Sequence, residues 1–352
     1  MEIVWVESFA VPRGVLRRNR KGRDMDKRKR RILEASGLAA AGAAMGIAYG
    51  GVTKYFVDLA MNRELPRHGA GTERHLGGEA GRGDTWRDLA AAADKLRNSG
   101  CVTVEITGHD GTRLVGHWQP CGHGRRVIIA MHGWRSSWAN DFGPVADFWR
   151  RNGCSVLYAE QRGQGRSGGD YMGFGLMERF DCLAWARWVN RTLTARLPVY
   201  LAGVSMGAST VLLAAGLKLP ENVRGILADS GYTSPDAIWR HVARRNLHVS
   251  YSVHRAAIHA MCRRRIHVGV DADTCPKALA RSTVPVLFVH GTDDHFVPVE
   301  MTYENYKACK SPKRLLIVPG AEHGMSYLVN RAEYEKTVLD FWRSFDFPLK
   351  GT

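Results

Sequence analysis

From about residue 101 onward, short apolar runs alternate with amphipathic stretches. This alternation predicts a doubly wound α/β domain, in which strands of a mostly parallel sheet are separated by helices on both faces. We predict about eight strands, and the first two, Cys101–Thr107 and Arg113–Gln119, are expected to form an antiparallel pair. The other predicted strands are Val127–Met131, Ser155–Ala159, Pro198–Gly203, Gly225–Asp229, Val284–His290 and Leu315–Val318. Helices are expected near Trp86–Leu96, Phe142–Arg151, Met177–Leu193, Met206–Leu213 and Val299–Lys310.

A different pattern occupies the N-terminal part of the chain. Nineteen consecutive uncharged residues, Ala35–Thr53, follow the basic run Lys27–Arg31. That length can just cross a bilayer, and a basic flank keeps the preceding end in the cytoplasm. We therefore expect a signal anchor at 32–57, with one membrane pass and an extracytoplasmic domain beyond it. A cleaved signal with a site near Ala39–Ala44, a twin-arginine export signal and a buried Ala/Gly helix are the alternatives.

Composition and charge refine this organisation. The chain of 352 residues, 45% of them hydrophobic, can bury one large domain, which we place at 100–350. A basic tail at 1–31, within which Met25 is a second candidate start, precedes the anchor, and a linker with a lead-in helix follows it at 58–99. The tail carries +7 of the formal net charge of +16, so the charge does not favour nucleic-acid binding by the folded domain. The seven cysteines are scattered without Cys-x-x-Cys spacing and indicate neither a zinc site nor a disulfide framework.

The pentapeptide Gly203-Val204-Ser205-Met206-Gly207 lies between a predicted strand and a predicted helix. An abrupt strand-to-helix turn strains the central residue and needs glycine on both sides. Such a turn raises the serine hydroxyl beside the positive end of a helix, which suits a nucleophile. Taken by itself, the pattern is weak, because serine and glycine are common.

The motif His132-Gly133-Trp134 directly follows another predicted strand. Its glycine lets the backbone come close to an oxygen atom, so the Trp134 N–H can pair with the Met206 N–H as an oxyanion hole. A plain turn with a structural histidine is the alternative. We expect His132 to brace the loop rather than to act as a base.

Two further loops lie at the ends of the last two predicted strands, where the site of such a sheet is located. One contains Asp293 and Asp294, and the other contains His323 between Glu322 and Gly324. Asp294 has the better spacing to orient an imidazole, and Asp293 is a candidate helix cap. Ser205, Asp294 and His323 follow one another at intervals of 89 and 29 residues, which is the order Ser…Asp…His of a hydrolase triad.

Four motifs in register carry a resemblance to a known superfamily. Three of them are Gly203–Gly207, His132-Gly133-Trp134 and the segment around His323. The fourth, Glu160-Gln161-Arg162-Gly163-Gln164-Gly165-Arg166-Ser167, is similar to a loop usually written Asp-x-Arg-Gly-His-Gly-x-Ser, from which Glu160 and Gln164 depart. From about Cys101 to its end the chain resembles the α/β hydrolases, and within them bacterial membrane-anchored members with a His-Gly-Trp oxyanion loop. The departures fall in a loop that is structural in the family.

The resemblance and the residues imply the same chemistry. Ser205 would attack an acyl carbon, His323 would take its proton, and Asp294 would orient the imidazole, with no metal or cofactor. We expect hydrolysis of an ester or amide of a small-molecule or lipid-like substrate. A peptidase, an acyltransferase and a non-catalytic binding protein on the same fold are the alternatives.

The region between the sixth and seventh strands, about 233–282, is predicted to form a helical cap over the site. From Pro235 to Val270 it holds seven arginines and five histidines but one acid, Asp236. A solvated basic face is one interpretation of this charge. Contact with anionic lipid headgroups or an acidic substrate is the other.

Overall fold

The computed structural model describes residues 13–66, 84–193, 197–245 and 250–346. Parts of the predicted tail and linker therefore lie outside the described residues. The chain divides into two compact units, Met1–Thr53 and Lys54–Thr352.

The first unit contains most of the helix α1, Arg13–Met61. Its segment Lys27–Met61 is, in the described part of the chain, the one stretch long and apolar enough to cross a membrane. Leu38 and Ile47 in this stretch are 75% and 77% exposed. The N-terminal apolar helix predicted from the sequence is thus confirmed. A signal sequence meets the same criteria of length and composition, so the membrane location stays a prediction.

The second unit is built on one eight-stranded sheet with the strand order β1-β2-β4-β3-β5-β6-β7-β8. The first two strands pair antiparallel, β2 is antiparallel to β4, and the other neighbours are parallel. The strands are β1 Val102–Thr107, β2 Arg113–Gln119, β3 Arg126–Met131, β4 Cys154–Glu160, β5 Val199–Val204, β6 Val223–Asp229, β7 Val286–Gly291 and β8 Lys313–Val318. The predicted fold class is confirmed, with strand ends that differ from the predictions by two residues or fewer.

Helices cover both faces of this sheet, because the buried strands carry apolar side chains on both sides. In β3, for example, Ile128 and Ala130 belong to one apolar core, and Val127, Ile129 and Met131 belong to the other. The helices outside the first unit are α2 Asp84–Arg97, α3 Trp138–Arg151, α4 Glu178–Thr192, α5 Met206–Ala214, α6 Pro235–Arg245, α7 Tyr251–Ile266, α8 Cys275–Ala280, α9 Val299–Ala308, α10 Ser326–Val329 and α11 Arg331–Phe345. Every residue of α5 is buried, which places this short helix in the middle of the domain.

The predicted cap is present as α6, α7 and α8 between β6 and β7. Asp236 is the one acidic residue between Pro235 and Val270. Its carboxylate accepts hydrogen bonds from Arg240, Tyr251 and Arg255. It also lies 2.8 Å from His259 Nε2. Asp236 therefore offsets part of the basic charge of the cap.

Candidate active site

Ser205 stands at the turn between β5 and α5 with φ 56° and ψ −118°. A non-glycine residue in this region of backbone space is strained, and the surrounding packing must impose it. A Cβ atom at Gly207 would overlap the Met131 carbonyl oxygen, and one at Gly203 would overlap the Gly207 carbonyl. The two glycines are required because the first turn of α5 presses directly against β5 and the end of β3. Ser205 therefore occupies the elbow predicted from the sequence.

His323 lies in the loop after β8 and reaches the elbow from the other side. Its Nδ1 is 2.6 Å from Asp294 Oδ2. Since a carboxylate accepts hydrogen bonds, Nδ1 carries the proton and Nε2 is left as the basic nitrogen. A Cβ at the next residue, Gly324, would lie 3.4 Å from Val204 Cγ1, so this loop packs on the residue that precedes Ser205.

Asp294 is held in place by several donors. Its Oδ1 accepts the backbone N–H groups of Phe296 at 3.0 Å and Val297 at 2.8 Å. Its Oδ2 faces both His323 and, at 3.1 Å, His290 Nε2. Both carboxylate oxygens are thus occupied, which fixes the orientation of the group that holds the imidazole.

The charges of Asp294 and His323 shift the pKa values of both groups. Burial alone would raise the pKa of Asp294, but the two histidines hold it below its ordinary value. Burial alone would lower the pKa of His323, but the Asp294 carboxylate outweighs burial and raises it. Each partner therefore favours the charged form of the other, as a base that becomes imidazolium during catalysis requires.

Ser205 and His323 line the same cavity, although no hydrogen bond joins the serine hydroxyl to the imidazole in this structure. In sites without substrate, such bonds are often long and tighten when the substrate binds. The structure brings the three predicted residues to one place at the C-terminal ends of β5, β7 and β8.

The loop after β3 presents its backbone toward the elbow. The Gly133 N–H donates to Asp141 Oδ2 and the Arg135 N–H to Gln164 Oε1, each at 2.6 Å. These two bonds fix the residues on either side of Trp134. Among the described residues, no acceptor is found for the backbone N–H groups of Trp134 or Met206. A Cβ at Gly133 would lie 3.4 Å from Ser205 Cβ, which shows how closely this loop approaches the serine.

Two smaller predictions concern residues beside the site. His132 is buried and braces the loop as expected, since its Nδ1 lies 2.8 Å from the Gly133 carbonyl and its Nε2 accepts the Gln161 N–H at 3.2 Å. Asp293 does not cap the following helix. Its carboxylate accepts a hydrogen bond from the Thr292 hydroxyl at 2.7 Å, and the N-cap position of α9 is Pro298.

Four polar residues of the site were not predicted. Asp229 is the last residue of β6 and His290 the next-to-last residue of the neighbouring β7, and a polar residue after an apolar run is itself a signal. Asp229 is buried, burial raises its pKa, and its Oδ1 accepts from Ser230 and Ser326. Gln164, which the sequence marks only as a departure from the family loop, and Asp141 accept backbone N–H groups of the loop after β3, and only the folded chain shows these contacts.

Two spaces open at Ser205. One is a cavity of about 550 Å³ that also reaches His323 and contains charged side chains such as Arg97 and Asp94. The other is a recess of about 40 Å³ whose lining, apart from Ser205, is apolar and aromatic. Within the described residues, no group of three or more His, Cys, Asp or Glu side chains is arranged to hold a metal ion.

Comparison with known proteins identifies this architecture. Residues 122–268 match the family model described as serine aminopeptidase, S33. Among solved structures, the Pyrococcus furiosus esterase Pf2001 superposes with a TM-score of 0.58 at 23% identity, covering 75% of this chain and 97% of the esterase. The chain has the α/β-hydrolase fold, and its residues 122–268 are similar to a family of hydrolases.

Curated relatives share most of the hydrolase domain. The uncharacterized protein YqkD of Bacillus subtilis is 28% identical over 263 residues, 73% of this chain and 83% of YqkD. The uncharacterized protein YfhR of Escherichia coli K12 is 25% identical over 249 residues, 68% of this chain and 79% of YfhR. The esterase Est1E of Butyrivibrio proteoclasticus, solved with ferulic acid, has a TM-score of 0.52 at 20% identity and covers 69% of this chain and 98% of its own. Together these matches support a hydrolase.

Proposed function

We propose that this α/β hydrolase cleaves carboxylic esters through an acyl-enzyme on Ser205. The observation that carries the proposal is the 2.6 Å contact of His323 with Asp294 beside a strained serine elbow. In the first step the Ser205 oxygen attacks the ester carbonyl while His323 Nε2 takes the hydroxyl proton. The Trp134 and Met206 N–H groups then hold the negative charge on the former carbonyl oxygen.

Collapse of the tetrahedral intermediate completes the cycle. The bond from the acyl carbon to the leaving oxygen breaks, and His323 gives its proton to that oxygen. Water, deprotonated by the same imidazole, then attacks the acyl carbon and releases Ser205 and the acid. Asp294 stabilises the imidazolium in both halves without taking the proton.

The alternative of an aminopeptidase, suggested by the name of the matching family model, is less well supported. Such an enzyme binds a free ammonium group on the acyl side of the bond that it cuts. The carboxylates near Ser205 line the larger cavity. With the acyl group in the apolar recess at Ser205, no carboxylate of the lining would pair with an ammonium ion. Burial of an unpaired charge there would be costly, so an ester with an uncharged acyl group fits better.

A fluorophosphonate probe tests the assignment. We expect the probe to label the wild type and the Ser99→Ala control, in which an exposed serine is removed, and to leave Ser205→Ala unlabelled. Hydrolysis of p-nitrophenyl acetate should follow the same pattern. Equal labelling of the wild type and Ser205→Ala would refute the proposal, and faster cleavage of leucine p-nitroanilide than of the ester would favour the aminopeptidase.

We further propose that α1 anchors the enzyme in a membrane, with the catalytic unit on the extracytoplasmic side. The basic run Lys27–Arg31 and the exposed apolar side chains of the Lys27–Met61 segment support this orientation. A fusion of residues 1–62 to alkaline phosphatase should be active in the periplasm and remain in the membrane fraction. An inactive cytosolic fusion would contradict the anchor, and a soluble periplasmic product would indicate a cleaved signal.

A further inference from the structure

The two spaces at Ser205 differ in their access to the base, and this difference assigns the two halves of the substrate. His323 must deliver its proton to the leaving oxygen, so the leaving group has to lie on the side of His323. The cavity of about 550 Å³ includes His323, whereas the recess of about 40 Å³ contains Ser205 and Met206 without it. This assignment rests on the proposed function, and it places the leaving group in the cavity and the acyl chain in the recess.

The recess is small. A single water molecule needs a cavity of roughly 10–15 Å³, so the recess of about 40 Å³ has room for about three groups of that size. We propose that the enzyme is selective for short acyl groups, roughly two to four carbons long, carried on a much larger leaving group. Phe56 and Leu59, near the end of α1, form one wall of the recess, and in this proposal that wall sets the length limit.

That wall is firmly held. The Phe56 ring packs edge-on against Trp239 at 6.2 Å and Tyr251 at 6.1 Å between centroids. On the same helical turn, the Asp58 carboxylate forms ion pairs with Lys54 and, from the cap, with Arg265. Phe56 and Leu59 are 7% and 3% exposed. Because aromatic contacts and ion pairs both tie this turn to the cap, the recess cannot lengthen without breaking them.

A series of p-nitrophenyl esters from acetate to decanoate tests the limit. For the wild type we expect kcat/KM to fall at least about tenfold between butyrate and octanoate, the scale of one or more methylenes that do not fit. Leu59→Ala should move the optimum to longer chains and raise the octanoate-to-acetate ratio about tenfold or more. Leu114→Ala, which empties an equally buried position in β2, should leave the profile of the wild type unchanged.

The outcomes separate the two proposals. If the fluorophosphonate labels Ser205 but the wild type prefers octanoate, or Leu59→Ala and Leu114→Ala give the same profile, the short-acyl inference is wrong and the esterase assignment stands. If Ser205 is not labelled, the proposed function itself fails.

A second inference rests on different contacts. The Trp134 indole N–H donates to the Ala60 carbonyl at 2.8 Å. The Arg135 guanidinium donates to the carbonyls of Asn62 at 2.6 Å, Leu59 at 3.1 Å and Arg63 at 3.2 Å. The last carbonyls of a helix lack partners inside it and attract positive charge, so the end of α1 is a natural acceptor for this loop.

We infer that the C-terminal end of α1 is a positioning element for the oxyanion loop. Its carbonyl groups hold the side chains of Trp134 and Arg135, next to the Trp134 backbone N–H. Asp141 and Gln164 hold the backbone N–H groups of the residues on either side of Trp134. Loss of the indole hydrogen bond should let the backbone N–H of Trp134 move away from the oxyanion, although this backbone donor is still present.

Trp134→Phe keeps an aromatic ring and the backbone N–H but removes the indole donor. We expect kcat to fall about tenfold, less than the loss of a whole oxyanion donor, with KM within about twofold of the wild type. Affinity for a trifluoromethyl ketone, which mimics the oxyanion, should fall in parallel with kcat/KM. Trp188→Phe, at the packed but distant Trp118–Trp188 contact, is the control. An unchanged kcat, or a loss in KM with unchanged ketone affinity, would overturn the inference.

Discussion

The elbow that carries Ser205 and the loop pair that carries His323 and Asp294 are stabilised in different ways. Steric contact within a few residues fixes the elbow, where the backbone of Ser205 is strained and neither flanking glycine has room for a Cβ. Charge and hydrogen bonds between distant segments fix the loop pair, in which Asp294 accepts four donors. The proposed nucleophile thus depends on the shape of the backbone, and the proposed base depends on electrostatics. Mutations should therefore damage the two regions in separable ways.

The largest effect is expected from Gly207→Ala. Its methyl group would overlap the Met131 carbonyl, and backbone of a central strand cannot yield. We expect the protein to lose most of its stability, seen as insoluble expression or a large drop in thermal midpoint. Gly122→Ala, at a glycine with open space around it, should fold normally. A soluble, active Gly207→Ala with an unchanged midpoint would show that the elbow is not sterically fixed.

Asp294→Asn should break the loop pair without breaking the fold. The amide can present its N–H₂ group to His323 Nδ1, which favours the imidazole tautomer with the proton on Nε2. That tautomer cannot take the Ser205 proton, so we expect kcat to fall by about 10⁴, the scale seen in related triads. The thermal midpoint should change far less than in Gly207→Ala.

Asp293→Asn provides the matched control for this prediction. Asp293 is exposed and bonded to Thr292, so its neutralisation should leave kcat within about twofold of the wild type. A large loss of kcat in Asp293→Asn together with full activity in Asp294→Asn would show that Asp293, and not Asp294, orients the imidazole.

The sequence was most informative where the chain constrains itself locally. The elbow needs glycine at 203 and 207, and the order of Ser205, Asp294 and His323 follows from strands that end at one edge of the sheet. His290, Asp229 and Gln164 could not be assigned in this way, because their contacts join segments far apart in the chain. The sequence also predicts an anchor and a linker at the end of α1, whereas Phe56 and Leu59 are buried in the second unit, because an apolar helix has the same pattern in lipid and in a protein core.

The pH dependence should report the same electrostatic pair. As the proposed base, His323 is active only when neutral, and Asp294 raises its pKa above the ordinary value near 6.5. We therefore expect kcat/KM to fall as the pH drops, with a midpoint above 6.5. In the residual activity of Asp294→Asn the midpoint should move to lower pH, because the Asp294 carboxylate is gone and burial, opposed only by the more weakly acting Asp229 and Asp141, lowers the pKa of His323. A midpoint that stays fixed in both proteins would mean that another group limits the rate.

His290 should give the smallest effect, since it acts on His323 only through Asp294. Its Nε2 lies 2.9 Å from the Val297 carbonyl and 3.1 Å from Asp294 Oδ2, both acceptors, so this nitrogen carries the proton. Its Nδ1 then accepts from the Thr302 hydroxyl at 2.7 Å. A hydrogen bond to a charged group contributes about 1.5–3 kcal/mol, so its loss in His290→Phe should lower kcat about tenfold by loosening the carboxylate.

The control for this last variant is Thr302→Val, which removes the outer hydrogen bond and keeps the imidazole. We expect Thr302→Val to retain nearly full kcat while losing some thermal stability. His290→Phe should show both a lower kcat and a lower stability. If the two variants have equal kcat, His290 supports the fold alone, and the orientation of Asp294 comes from the Phe296 and Val297 N–H groups. The base would then depend on backbone shape as much as the nucleophile does.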